Sequence, residues 1–218
     1  MAEARLTISS KNYSSWSMRG WLLCKIVDLD FVEKQVPIDD PSTRAELLLL
    51  SPSFLVPCLE HNKLFIWDTL AIAEYLHEIK PEMHLLPSDL KARTHCRAIS
   101  GEMHQGFSNL RSALPLNIKA HFPNFKIWAG AQADIDHVLK IWADCLDQYG
   151  GPFLFGAQPS LADAMYAPVC LRFKTYDVKL EPKLQAYMDH ILAWAPVVEW
   201  VAGAQGEPDE IEELEMEF

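Results

Sequence analysis

The chain contains no CxxC pair and no cysteine–histidine spacing of the kind that holds a metal. Its five cysteines, Cys24, Cys58, Cys96, Cys145 and Cys170, are odd in number and widely spaced. That excludes a closed disulfide framework and suits a reducing compartment. Cys24 and Cys145 lie among apolar residues of helical pattern and read as small hydrophobes, so no cysteine is assigned as a nucleophile. Long apolar runs are also missing. The stretches near 46–54 and 65–75 are interrupted by polar residues well before the roughly 20 needed to cross a bilayer. The string MAEARLTISSKN lacks the basic start and continuous apolar stretch of a secretory signal. The expectation is a cytoplasmic protein without a membrane partner. A cluster of lysines and arginines is absent as well, which argues against a nucleic-acid partner.

Charge of one sign is concentrated instead. The formal net charge is −11, and the last twelve residues, EPDEIEELEMEF, carry seven acids and no base, leaving −4 for the body. This tail, 207–218, reads as a solvated, flexible segment following Gly203 and Gly206. The remaining length and a hydrophobic content of 50% suffice for one large domain or two small ones.

Residues 1–83 alternate strand and helix signals. Leu6 to Ser9 is a β-prone run, Trp16 to Leu29 shows a broad apolar helical face, and Phe31 to Ile38 reads as a second strand. Pro41-Ser42 opens a helix through Leu50. Cys58-Leu59-Glu60 and Leu64-Phe65-Ile66 flank the polar turn His61-Asn62-Lys63 and predict a hairpin. Asp68 or Thr69 then caps a helix reaching about Ile79. Beyond Pro81 everything reads as helix, over Leu90 to Ile118, Ala133 to Tyr149, Leu161 to Phe173, Leu180 to Trp194 and Val197 to Ala204. The predicted class is α/β followed by all-α. A βαβαββα unit of thioredoxin-like type (1–83) precedes an all-helical bundle (84–206).

Three strings resemble the cytosolic glutathione transferases, including bacterial members. The first is Ser51-Pro52 followed by Val56-Pro57-Cys58-Leu59. The resemblance implies a cis Val56-Pro57 bond that turns the backbone outward to pair with the cysteinyl part of glutathione like an added strand. The same proline also suits a plain strand start. The second is Trp67 to Leu76, where Asp68-Thr69 stands for the family's acid-serine helix start. There Asp68 would meet the ligand's ammonium while Thr69 and the helix N–H groups receive its carboxylate. Both types equally suit ordinary capping. The third, Phe153 to Ala164, resembles the family's capping box, with Ser160 as cap and Asp163 closing back on it.

Ser14-Ser15-Trp16-Ser17-Met18-Arg19 is similar to the zeta class signature Ser-Ser-Cys-Ser-Trp-Arg, with Trp16 at the cysteine position. Zeta members include maleylacetoacetate isomerase. The resemblance makes Ser14 the hydroxyl that stabilises the glutathione thiolate, with Ser15 or Tyr13 as alternatives. Helix capping is the other use of these serines. Tyr13, Trp16, His104, Phe107, Ser108 and Arg111 are the candidate pocket for the second substrate, the last four predicted on one face of a continuous helix. That stripe would equally suit solvent or a partner subunit. Arg44 is a positional candidate for the glycyl carboxylate. The expected function is therefore a glutathione-dependent transferase or isomerase acting on a small hydrophobic or conjugated electrophile, with detoxification as its role. Glutathione would be the co-substrate, no metal would be needed, and the chain would form a homodimer. The alternatives are a noncatalytic binding or scaffold protein on the same fold, and a thiol-disulfide oxidoreductase or dehalogenase, which would want a cysteine near Ser14.

Overall fold

A computed structural model describes residues 4–36 and 55–208. The predicted helix over 41–50, Arg44 and Ser51-Pro52 lie outside the described residues. Strand β1 (Ala4–Ile8) alternates a buried Ala4, Leu6 and Ile8 with the more exposed Arg5 and Thr7, so one face is committed to the core. It pairs in parallel with β2 (Phe31–Gln35) and antiparallel with β3 (Cys58–His61), which turns back into β4 (Leu64–Trp67). The sheet order is β2-β1-β3-β4. The hairpin closes in two residues, Asn62 and Lys63, with φ of 51° and 66°. Those angles belong to the primed turn that matches strand twist, so His61, predicted in the turn, completes β3 instead.

Helix α1 (Ser15–Ile26) crosses from the sheet to the second half of the molecule. It buries Ser15 and every residue from Ser17 to Cys24 because α2 (Thr69–Ile79) lies on one side and helices of the bundle on another. Gly20 is where this enclosure is tightest. A Cβ there would stand 2.5 Å from Pro57 Cγ. Gly20→Ala is thus expected to cost about 1–3 kcal/mol through forced displacement of the proline ring. A melting temperature within 1 °C of the parent would refute that steric account.

After a 3-10 turn (Pro81–Met83) come α3 (Leu90–Gln105), α4 (Ser108–Ala113), α5 (Ala129–Tyr149), α6 (Leu161–Thr175), α7 (Pro182–Ala193) and α8 (Ala195–Gln205). Helix α6 is central, buried at almost every position, and packs on α1, α3 and α7. Asp163 anchors its start. Its carboxylate accepts from Ser160 N (2.9 Å), Ser160 Oγ (2.9 Å), Leu154 N (3.0 Å) and the Tyr187 hydroxyl (3.3 Å). The architecture is a thioredoxin-like unit beside a helical bundle. No helix among the described residues is long and apolar enough to cross a membrane.

One predicted element is corrected. The helix over Leu90 to Ile118 breaks at Gly106, which caps α3, and at Phe107, whose φ of 57° is left-handed. Phe107 accepts that backbone because its ring is then buried and stacks 5.6 Å from His137. The second strand ends at Gln35 and the first helix at Ile26, both short of their predicted limits.

Candidate functional site

The loop from β1 to α1 is built from short polar side chains that satisfy one another. Ser10 Oγ accepts from Asn12 N (3.1 Å) and Tyr13 N (3.3 Å), and Ser10 O accepts from Ser14 N (3.0 Å). Ser14 is the N-cap of α1. Its Oγ accepts from Ser17 N at 3.2 Å and donates to Ser17 Oγ at 2.8 Å. Ser17 Oγ also receives the Ser9 N–H at 3.0 Å. A hydroxyl fixed at a helix N-terminus, where the peptide dipoles favour negative charge, suits a donor to a thiolate. Ser17 is the group that can take over as donor to Ser14 when Ser14 turns its proton toward sulfur.

The other two donor candidates are less available. Ser15 is 7% exposed, and its Oγ accepts from Arg172 Nη2 at 3.3 Å. Tyr13 is 8% exposed. Ser14 is half-buried.

The second part of the site is the start of α2. Asp68 has φ 74° and ψ 132°, a strained backbone for a residue with a side chain. Its Oδ1 accepts from Leu70 N (2.8 Å) and Ala71 N (3.3 Å), and its Oδ2 accepts from His104 Nε2 (2.7 Å). Thr69 beside it is 1% exposed, yet its Oγ1 has no hydrogen-bond partner among the described residues. A buried hydroxyl without a partner at a helix N-terminus is costly unless a ligand completes it, which fits the carboxylate expected there. Val56-Pro57 is cis, and Pro57 lies against Gly20 of α1.

Between these two parts stands Trp16. Its ring is 5.1 Å from His104, 4.6 Å from the Arg19 guanidinium and 5.5 Å from that of Arg111. Arg19 is buried and reaches Met165 O (2.8 Å) and Met103 Sδ (3.1 Å), while its Nη1 has no partner. Arg172, also buried, donates to the carbonyls of Leu114 and Arg111 and to Ser15, leaving its Nε without a partner. Among the described residues no carboxylate pairs with Arg19, Arg111 or Arg172. Burial, then Arg172 and Arg111, pull the Arg19 guanidinium down to about 9. Burial lowers Arg172 to about 10, with Arg111 adding repulsion. Both groups are still cations at neutral pH, and an anion among them would relieve the repulsion.

The structure therefore brings Ser14, Ser15, Trp16, His104, Arg111, Asp68 and Thr69 into one chain of contacts. It does not place the predicted four-residue stripe on one helix face. His104 lies in the last turn of α3 and meets Asp68, Arg111 lies on α4 against Trp16, Phe107 packs into the core, and Ser108 is exposed at the first position of α4. Arg19 and Arg172 were not singled out from sequence. Arg19 stands at the end of the zeta-like string, whereas Arg172 sits in an apolar helical run with nothing nearby to mark it. None of the cysteines forms a disulfide and all are buried, and burial pushes Cys24 and Cys96 up to about 12, so neither is a ready nucleophile.

Comparison with known proteins matches residues 13–79 to the glutathione S-transferase N-terminal domain and 120–195 to the glutathione S-transferase C-terminal domain. Maleylacetoacetate isomerase of Rattus norvegicus is 30% identical over 169 residues, covering 77% of each chain. A probable maleylacetoacetate isomerase of Caenorhabditis elegans is 29% identical over 176 residues, covering 77% of this chain and 78% of its own. Among solved structures, a Burkholderia glutathione transferase homolog with bound glutathione superposes with a TM-score of 0.72 at 23% identity, covering 95% of this chain and 100% of that one. A bacterial zeta class maleyl pyruvate isomerase gives 0.72 at 22% identity with the same coverage.

Proposed function

Because the chain belongs to the glutathione S-transferase family, we propose that it directs the glutathione thiolate onto an unsaturated small molecule bearing a carboxylate, as an isomerase or an addition enzyme. The observation that carries this reading is the set of Arg19 and Arg172, buried, and Arg111, half-buried, cationic and with no paired carboxylate among the described residues, beside Ser15 and Trp16. Leaving such charges uncompensated costs stability, a common mark of a site built for an anion. The maleylacetoacetate isomerases among the relatives are named for an acid with a carbon–carbon double bond, which agrees with that chemistry. The isomerases among the relatives favour this catalytic reading over a noncatalytic scaffold.

In this reading residues 1–83 hold glutathione and 84–206 shape the second pocket. Val56 and Pro57 present the backbone edge for the cysteinyl part, Thr69 and the α2 N–H groups receive the γ-glutamyl carboxylate, and Asp68 keeps lone pairs for its ammonium. Glutathione supplies a thiol that, once ionised, adds to and leaves activated double bonds. Ser14 holds the sulfur as thiolate. The arginines hold the substrate's carboxylate and the negative charge that grows on its conjugated oxygen, and the Trp16 indole offers a flat apolar face for the double bond. A homodimer belongs to the proposal, supported by Leu64 (52% exposed), Phe65 (38%) and Trp67 (37%) on the outer hairpin. So does a cytoplasmic location, supported by five cysteines of which none forms a disulfide.

The test is retention on immobilised glutathione, followed by turnover of matched carboxylated and neutral electrophiles. Arg111→Leu is expected to raise KM for the carboxylated one about 10- to 100-fold, the loss of one charge-assisted contact, with the neutral one little changed. Equal effects on both substrates would sink the anion reading.

A further inference from the structure

Two residues beyond α8 the chain folds back onto the loop between β1 and α1. Glu207, read from sequence as the head of a solvated tail, places its carboxylate against Ser10 Oγ (2.6 Å), Lys11 N (2.6 Å), Asn12 N (3.2 Å) and Gln35 Nε2 (2.5 Å). Its main-chain carbonyl accepts from Lys119 Nζ. These contacts fall on the turn whose Ser10 carbonyl holds Ser14 N and whose Ser10 hydroxyl collects Asn12 N and Tyr13 N. Helix α8 reinforces them. Trp200 Nε1 donates to Lys11 O at 3.0 Å, and Gly203 leaves just enough room for the Lys11 side chain, since a Cβ there would stand 2.8 Å from Lys11 Cδ. Lys11 Nζ itself pairs with Glu33 at 2.6 Å, so Glu207 answers the backbone rather than that cation.

We infer that Glu207 is a positioning residue for thiol activation: it clamps the Ser10–Asn12 turn and thereby fixes where the Ser14 hydroxyl stands. The inference rests on the reading of Ser14 as the thiolate's donor. Two clusters of backbone and hydroxyl donors converge on one carboxylate, and nothing else among the described residues satisfies Lys11 N. Without Glu207 the turn keeps its bonds from Trp200 Nε1 to Lys11 O, from Ile118 N to Asn12 O and from the Asn12 side chain to Asn117 and Lys119 N, but Lys11 N and the Ser10 hydroxyl lose their acceptor, and the Ser10 hydroxyl is the one that orders Asn12 N and Tyr13 N ahead of Ser14.

The sign of the effect separates positioning from plain electrostatics. Removing a negative charge near a thiolate lowers the thiol pKa, whereas loosening its donor raises it. The experiment uses the full chain with Glu207→Gln, near in shape, and Glu207→Ala. The pKa of the bound glutathione thiol is read from thiolate absorbance against pH, alongside kcat and KM with a generic electrophile. Expected for Glu207→Gln is a rise of about one pKa unit with kcat near neutral pH down about tenfold and KM for glutathione within about twofold. On a Ser14→Ala background the same change should add little, because the donor being positioned is gone. A lowered melting temperature with an unmoved or lowered thiol pKa would overturn the inference and leave Glu207 a structural clasp. If Ser14→Ala alone leaves the thiol pKa unmoved, the Ser14 reading falls and this inference with it. If Ser14→Ala raises the pKa and Glu207→Gln does not, only this inference falls. Should Glu207→Ala fail to fold, Glu207→Gln carries the test.

Discussion

Ser14→Ala is expected to lower kcat/KM with a generic electrophile about 10²- to 10³-fold, the cost of deleting one preorganised donor to a developing or resident anion. Two features set that magnitude. The hydroxyl stands at the α1 N-terminus, half-buried, where its orientation is fixed by Ser17 rather than by solvent. The alternatives, Ser15 and Tyr13, are both buried, and Ser15 Oγ is held by Arg172. The loss should lie in the thiol pKa. Activity of Ser14→Ala should therefore recover as pH rises toward the ordinary thiol range, while the parent has already reached its plateau. Ser17→Ala should give a smaller effect of the same sign, since it removes the group that backs Ser14. A Ser14→Ala enzyme with the parental pH–rate profile would move the donor to Ser15 or Tyr13.

The second large effect is on folding. Asp163→Ala should destabilise the protein by about 3–5 kcal/mol, as expected for deleting a buried carboxylate that satisfies several donors. Ser160 N and Leu154 N would be left buried without acceptors, and Ser160 Oγ and the Tyr187 hydroxyl would lose theirs. Burial raises the Asp163 carboxyl above its ordinary value and the four donors oppose that rise, so the network and not exposure to water holds the group in place. Because α6 packs on α1 and α3, the loss should appear as one cooperative shift in chemical denaturation, with glutathione affinity weakened only through the unfolded fraction. A shift below about 1 kcal/mol would mean that the start of α6 tolerates its own rearrangement.

Sequence reasoning worked where the physics is local. The Asn62-Lys63 turn, the Asp68 cap and the Ser160 to Asp163 closure each involve residues within a few positions, and each was legible from residue type and spacing. It misjudged the region after His104 because Phe107 takes a left-handed backbone that phenylalanine rarely adopts, for the sake of a buried ring stacked on His137. Gly106 was the available signal. The arginine cluster was harder to see. Arg172 meets Ser15 across 157 positions and Arg111 across 61, so only the packing of α6 against α1 and α4 assembles it. Glu207 was misjudged for a related reason. Its acidic neighbours suggested a solvated run, while its partners lie almost two hundred residues earlier.

Helix α1 has no free face. From Ser17 to Cys24 every side chain is enclosed, and the helix, capped by Ser14, carries Trp16 and the buried Arg19. Such a helix has little latitude to drift, since a change made for a new substrate would also disturb the core of both halves. The short helix α4 carries fewer such ties, with Ser108 exposed and Arg111 half-buried against Trp16, so a substitution there reaches the indole without passing through α1. Helix α1 is in this sense a fixed chassis, and a change of pocket is better tolerated on α4 than on it.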